Sequence, residues 1–213
     1  MTPGVRNTVL ACVAFMVLVV GLFVNNMMRE PVLSDGELRE LGIVILPTPR
    51  EVTPFALVDE RGEPFTQDDL VGHWTFAYFG FTHCPDICPV TLSVMGNALR
   101  ELGDAGVADA FTGMLVSVDP ERDTPEVLAN YVPYFHPDFV GATGAASEIA
   151  TLAAQVSVAY ARVPAENGTD DYTMDHTGNL VIFNPRGHYL GLIRMPHTPQ
   201  QIETAYRTLA ARY

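Results

Sequence analysis

Two stretches, "HWTFAYFGF" (His73–Phe81) and "FTGMLVSVD" (Phe111–Asp119), are apolar almost without interruption. A strand can carry such a run only if both of its faces are covered, so each predicts a buried strand inside a layered fold. Between them "VTLSVMGNALRELG" (Val90–Gly103) spaces its apolar residues as a helix does and ends on a glycine stop. "TPEVLANYVPYF" (Thr124–Phe135) opens with a capping threonine and a proline at the first helical position, and "SEIATLAAQV" (Ser147–Val156) reads as a short helix. "FALVDERGEPFT" (Phe55–Thr66) reads as a hairpin turning at Arg61-Gly62, and "NLVIFNPRGHYLGLIR" (Asn179–Arg194) as another turning at Pro185–Gly187. "TPQQIETAYRTLAARY" (Thr198–Tyr213) closes the chain as a capped helix. The order predicts an α/β sandwich around a central sheet. An apolar fraction of 48% is sufficient to build its core.

Ahead of this pattern, residues 8–28 read "TVLACVAFMVLVVGLFVNNMM", with no charge between Arg6 and Arg29. The apolar part is near the minimum length for a membrane-spanning helix. A cleaved signal peptide would need small residues after the run, and "FVNNMM" is a poor site. The expectation is therefore a cytoplasmic tail over 1–7, a single-pass anchor over 8–28 with Cys12 inside it, and a linker or docking arm over 29–50 that contains Pro47 and Pro49, with "LRELGIVIL" (Leu38–Leu46) able to form a short ordered piece. The remaining domain spans 51–213. A short tail carrying Arg6 stays in the cytoplasm, which in a bacterium puts the domain on the periplasmic side of the inner membrane.

The formal net charge is −13, which argues against nucleic acid as a partner. All 12 basic residues are arginine, so chemistry that needs a Schiff-base or phosphate-loop lysine is excluded.

Chemistry is expected where strand His73–Phe81 ends, because ligands of open α/β sheets collect at the carboxyl ends of strands. There "GFTHCPDICPVTL" places Cys84 and Cys88 four apart, each followed by proline, at the start of a helix. The spacing brings both sulfurs to one side of a turn, and a helix N-terminus favours thiolate. Three readings stay open on these residues: a structural disulfide, a redox pair, or two ligands of a soft metal. In a periplasmic setting the first two are common.

Three stretches in order, "YFGFTHCPDICP" (Tyr78–Pro89), "SVDPERDTPEVL" (Ser117–Leu128) and "DHTGNLVIFNPRG" (Asp175–Gly187), resemble the Sco/SenC family over about residues 51–213. The resemblance implies a thioredoxin-like α/β sandwich with a central mixed sheet, preceded by one transmembrane helix. It implies copper, Cu(I) or Cu(II), held by Cys84, Cys88 and His176, the two cysteines also serving as redox thiols. It further implies a metallochaperone or thiol reductant rather than a turnover enzyme. Its partners would be an upstream periplasmic copper donor and cytochrome c oxidase subunit II, whose dinuclear copper centre it would help assemble. Asp86 matches the family pattern as well. A thiol-disulfide oxidoreductase or a peroxiredoxin-like protein is the alternative. Peroxiredoxins place Thr or Ser three residues before the reactive cysteine, where this chain has Phe81 and Pro85; thioredoxins need a proline where residues 165–184 have none.

The other candidates read as follows. Asp175 is expected to orient the His176 ring. His83, adjacent to Cys84, is expected to point away, and His73, His136, His188 and His197 to be exposed. Met174 and Met195 read as packing residues, with Met174, two residues from His176, also able to approach a bound copper. Within Asp119–Glu126, Asp123 or Thr124 is expected to cap a helix and Arg122 to pair locally. Phe79, Phe81 and Tyr172 are expected to rim the cysteine loop.

Overall fold

The computed structural model describes residues 3–27, 32–164 and 172–213. It divides into an N-terminal unit ending at Val32 and a domain from Leu33 to Tyr213. The first holds one helix, α1 (Pro3–Met27), whose residues from Asn7 to Val24 are uncharged and exposed. It is long and apolar enough to cross a membrane, a test that a signal sequence near the N-terminus also passes.

The domain is built on an eight-stranded mixed sheet. Its strands are β1 (Ile43–Arg50), β2 (Leu57–Asp59), β3 (Pro64–Phe65), β4 (Thr75–Gly80), β5 (Thr112–Ser117), β6 (Val140–Gly144), β9 (Leu180–Phe183) and β10 (Tyr189–Ile193), in the order β1-β10-β9-β4-β5-β6-β2-β3. The centre, β4-β5-β6, is parallel, and β9, β10 and β1 continue it antiparallel on one side. Every residue of β4 is buried, as the unbroken apolar run requires, and Phe76 stacks on Phe111 with ring centroids 4.5 Å apart. Each such aromatic contributes about 1.5–3 kcal/mol by leaving water.

The helices are α2 (Asp35–Glu40), α3 (Ile87–Asp104), α4 (Pro125–Tyr131), α5 (Ala146–Gln155) and α6 (Pro199–Arg212). Helix α4 starts where the sequence indicates, with Thr124 accepting from the Val127 amide and Pro125 following. Helices α3 and α6 pack on each other, while α4 and α5 pack on β6. At Gly96 a Cβ would lie 2.5 Å from the Phe135 carbonyl oxygen, so glycine is what lets that chain approach α3.

The ordered piece expected at Leu38–Leu46 is part of a longer one that is built into the domain. Ser34 caps α2 in a full capping box, Leu38 and Ile43 are completely buried, and β1 pairs with β10. The prolines that suggested a loop are tolerated because β1 is an edge strand. A separate two-stranded ribbon, β7 (Tyr160–Pro164) against β8 (Tyr172–His176), stands apart from the main sheet.

Candidate metal centre

The carboxyl end of β4 leads into the cysteine loop. The Cys84 amide donates to the Phe81 carbonyl at 3.3 Å, and α3 begins at Ile87, so Cys88 lies in its first turn. The Cys88 amide points at Cys84 Sγ, 3.4 Å away. No bond joins the sulfurs: both thiols are free and buried. His176 is the last residue of β8, and its Nε2 lies 3.5 Å from Cys88 Sγ. The ligand atoms of Cys84, Cys88 and His176 all lie within 4.8 Å of one another. Among the described residues this is the one cluster of three such donors.

Physical details favour a soft ion here. The His176 ring sits edge-on to Tyr78 (5.7 Å) and Phe81 (5.9 Å), and its Nδ1 is 3.3 Å from the Thr177 carbonyl oxygen. A proton on Nδ1 can donate there and leaves the Nε2 lone pair facing the sulfurs. Burial holds the imidazole below its ordinary pKa, which keeps it neutral and able to ligate. Gly80 makes room: a Cβ on it would lie 3.0 Å from Cys88 Sγ. Two sulfurs and one imidazole nitrogen form a donor set that suits copper.

Several expectations need correction. Burial, aided by the neighbouring Cys84, pushes the Cys88 thiol well up, so desolvation outweighs the helix N-terminus and this sulfur is not a free thiolate. Thr177, not the exposed Asp175, holds the His176 ring. Phe79 and Phe81 are both buried rather than at a rim: the Phe81 ring walls the site against His176, and Phe79 belongs to the core; the exposed apolar residue after the cysteines is Val90. His73, His136, His188 and His197 are half-buried, and His197 Nε2 lies 2.9 Å from the Gly178 carbonyl oxygen. His83 is exposed and stays outside the cluster. Met174 packs on the core, whereas Met195 is half-exposed beside Gly178.

The segment after β5 does more than cap a helix. Thr124 caps α4 and Arg122 pairs with Asp119, but Asp123 reaches across to the cysteine loop. Its fully buried carboxylate accepts from the Thr82 amide (3.0 Å), the Thr82 hydroxyl (2.6 Å) and the Ser117 hydroxyl (2.7 Å). A carboxylate 41 positions from its partner leaves no periodic signal in a sequence; only the nearby cysteines mark Thr82 for attention.

Comparison with known proteins agrees with this geometry. A family model described as SCO1/SenC matches residues 46–211. The SCO2-like protein of Rickettsia prowazekii is 39% identical over 137 residues, covering 64% of this chain and 66% of that protein. The human mitochondrial protein SCO1 homolog is 40% identical over 137 residues, again 64% of this chain but 45% of its own longer length. Arabidopsis thaliana ScoI, crystallised with copper bound, is similar at a TM-score of 0.70 and 33% identity, over 75% of this chain and 98% of that one.

Proposed function

The chain belongs to the SCO1/SenC family, and from that membership we propose that it is a membrane-anchored copper carrier that helps assemble the dinuclear copper centre of cytochrome c oxidase subunit II. The observation that carries the reading is the convergence of Cys84, Cys88 and His176 within 4.8 Å. Copper is the cargo. The two cysteines supply thiolate sulfur and His176 supplies imidazole nitrogen. Because burial keeps the Cys88 thiol protonated, binding expels a proton from it, and affinity rises with pH. Three donors rather than four suit a site that must release what it binds. Helix α1 would hold the domain at the periplasmic face of the inner membrane, within reach of the oxidase and of a periplasmic copper donor.

The test is genetic and chemical. Deleting the gene should lower cytochrome c oxidase activity under copper limitation, with partial rescue by added copper. Cys88→Ser should match the deletion. Normal oxidase activity in the deletion strain at low copper, with a general rise in misoxidised proteins, would instead support a broad disulfide enzyme.

A further inference from the structure

The donors sit on two separate pieces of chain. The cysteine loop carries the thiols and the β7–β8 ribbon carries His176. Among the described residues the ribbon pairs with no strand of the main sheet, and most of its residues are exposed. The Thr177–Ala159 hydrogen bonds tie the ends of the ribbon to each other and so would move with it. Tyr160 and Met174 pack the His176 end and the middle of the ribbon on the core, and a separate set of contacts holds the Tyr172 end.

Tyr172, the first residue of β8, lies between two guanidinium groups. Arg122 covers one face of its ring at 3.8 Å and Arg162, from β7, covers the other at 3.6 Å. The Tyr172 hydroxyl donates to Asp119 at 2.8 Å, and Arg122 also donates to Asp119 and to the Tyr172 carbonyl oxygen (3.2 Å). Arg162 is held in turn by Glu121 at 3.1 Å. Arg122 further lies 5.8 Å from the Phe81 ring, which meets the His176 ring on its edge. Side chains therefore run without a break from Tyr172 through Arg122 and Phe81 to His176. The same Ser117–Thr124 segment that carries Asp119 and Arg122 also carries Asp123, which pins the cysteine loop.

We propose that Tyr172, Arg122 and Asp119 are positioning residues that clamp the ribbon and thereby set His176 against Cys84 and Cys88. The inference rests on those three being the copper ligands. Tyr172 and His176 stand at opposite ends of β8, about 13 Å apart at strand rise, so release of one end displaces the other. Clamping of this kind acts on the imidazole and leaves the thiols in place. It should therefore matter most for Cu(II), which draws on the nitrogen donor, and least for Cu(I), which two thiolates hold well.

The test uses the reduced full chain in detergent, with Tyr172→Leu, the milder Tyr172→Phe, and Arg122→Lys, which keeps the charge but loses the planar stack. Amide hydrogen exchange of copper-free protein is read first. Tyr172→Leu should speed exchange over 172–177 about tenfold while β4 and β5 stay unchanged, with Tyr172→Phe in between. Cu(II) affinity should fall about tenfold and the nitrogen signature in its electron paramagnetic resonance should weaken, with Cu(I) affinity within about threefold of wild type. Wild-type exchange and Cu(II) spectra in Tyr172→Leu and Arg122→Lys would overturn the clamp. So would faster exchange spread evenly over the core. If wild type binds no copper, the functional reading falls, and the exchange data still decide the clamp.

Discussion

Replacing Asp123 separates the electrostatic role of this carboxylate from its shape. It accepts three hydrogen bonds from the cysteine loop and β5, and among the described residues no arginine forms an ion pair with it; the exposed His83 lies 3.8 Å away. Bonds to a charged acceptor are worth about 1.5–3 kcal/mol each when broken one at a time. They are not additive, and Asp123→Ala should cost about 3–5 kcal/mol, because the Thr82 amide and two hydroxyls lose their partner in a dry site. Asp123→Asn keeps one oxygen for the Thr82 amide and the Ser117 hydroxyl, and its NH₂ can donate to a rotated Thr82 hydroxyl. It should cost about 1–2 kcal/mol, the excess strength of charge-assisted bonds. Urea unfolding of the reduced, copper-free chain in detergent reads this directly. Trp74, the sole tryptophan, is buried edge-on to Tyr213 at 5.5 Å and reports on the core. At about 1–3 kcal/mol/M, alanine should move the midpoint by more than about 1 M. Equal losses for Asn and Ala, or a loss below about 1 kcal/mol for Ala, would refute the reasoning.

The remaining expectations follow from burial and space. Burial depresses the imidazoles of His136, His176 and His197 below the ordinary 6.5, so unfolded chains take up protons first as pH falls. Stability of the copper-free protein should be complete above about pH 6.5 and decline below it, and urea midpoints measured from pH 8 to 5 would show a flat line if this is wrong. In Gly80→Ala the new methyl group crowds Cys88 Sγ and the buried Tyr78 ring, so copper affinity should fall several-fold and stability should drop by about 1–3 kcal/mol in urea unfolding; an unchanged affinity would mean that the sulfur has room to spare. A chain held by α1 should stay with membranes through carbonate washing, and recovery of a soluble species starting near residue 29 would show a cleaved leader instead.

What the sequence made legible and what it hid divide along physical lines. Strands β4 and β5 and helices α4 and α6 carry their own signals, unbroken apolar runs or a Thr-Pro start, and they stand where those signals put them. Strand β1 hides behind two prolines because an edge strand need not donate on its open side. Strand β6, "VGATG", is short and glycine-rich, and its neighbours β5 and β2 hold it in the sheet. The ribbon escapes notice because every second residue of β8 is exposed, and part of its fixation comes from Arg–Tyr stacking across distant positions. At the site, residue types and spacing flagged the two cysteines, and the family resemblance supplied His176. The protonation state of Cys88 could not be read that way, since it depends on how deeply the first turn of α3 is buried. The same holds for the phenylalanines, which burial takes from the rim, Phe81 into the wall of the site and Phe79 into the core.

The most direct test of copper delivery is to mix the singly copper-loaded, reduced chain with reduced, copper-free subunit II and follow both copper and electrons. The account predicts that copper leaves the Cys84, Cys88 and His176 site and is recovered on subunit II in proportion to the carrier added, with no transfer from a His176→Ala, Cys88→Ser protein. Copper that stays on the carrier while the subunit II cysteines change only their oxidation state would contradict it.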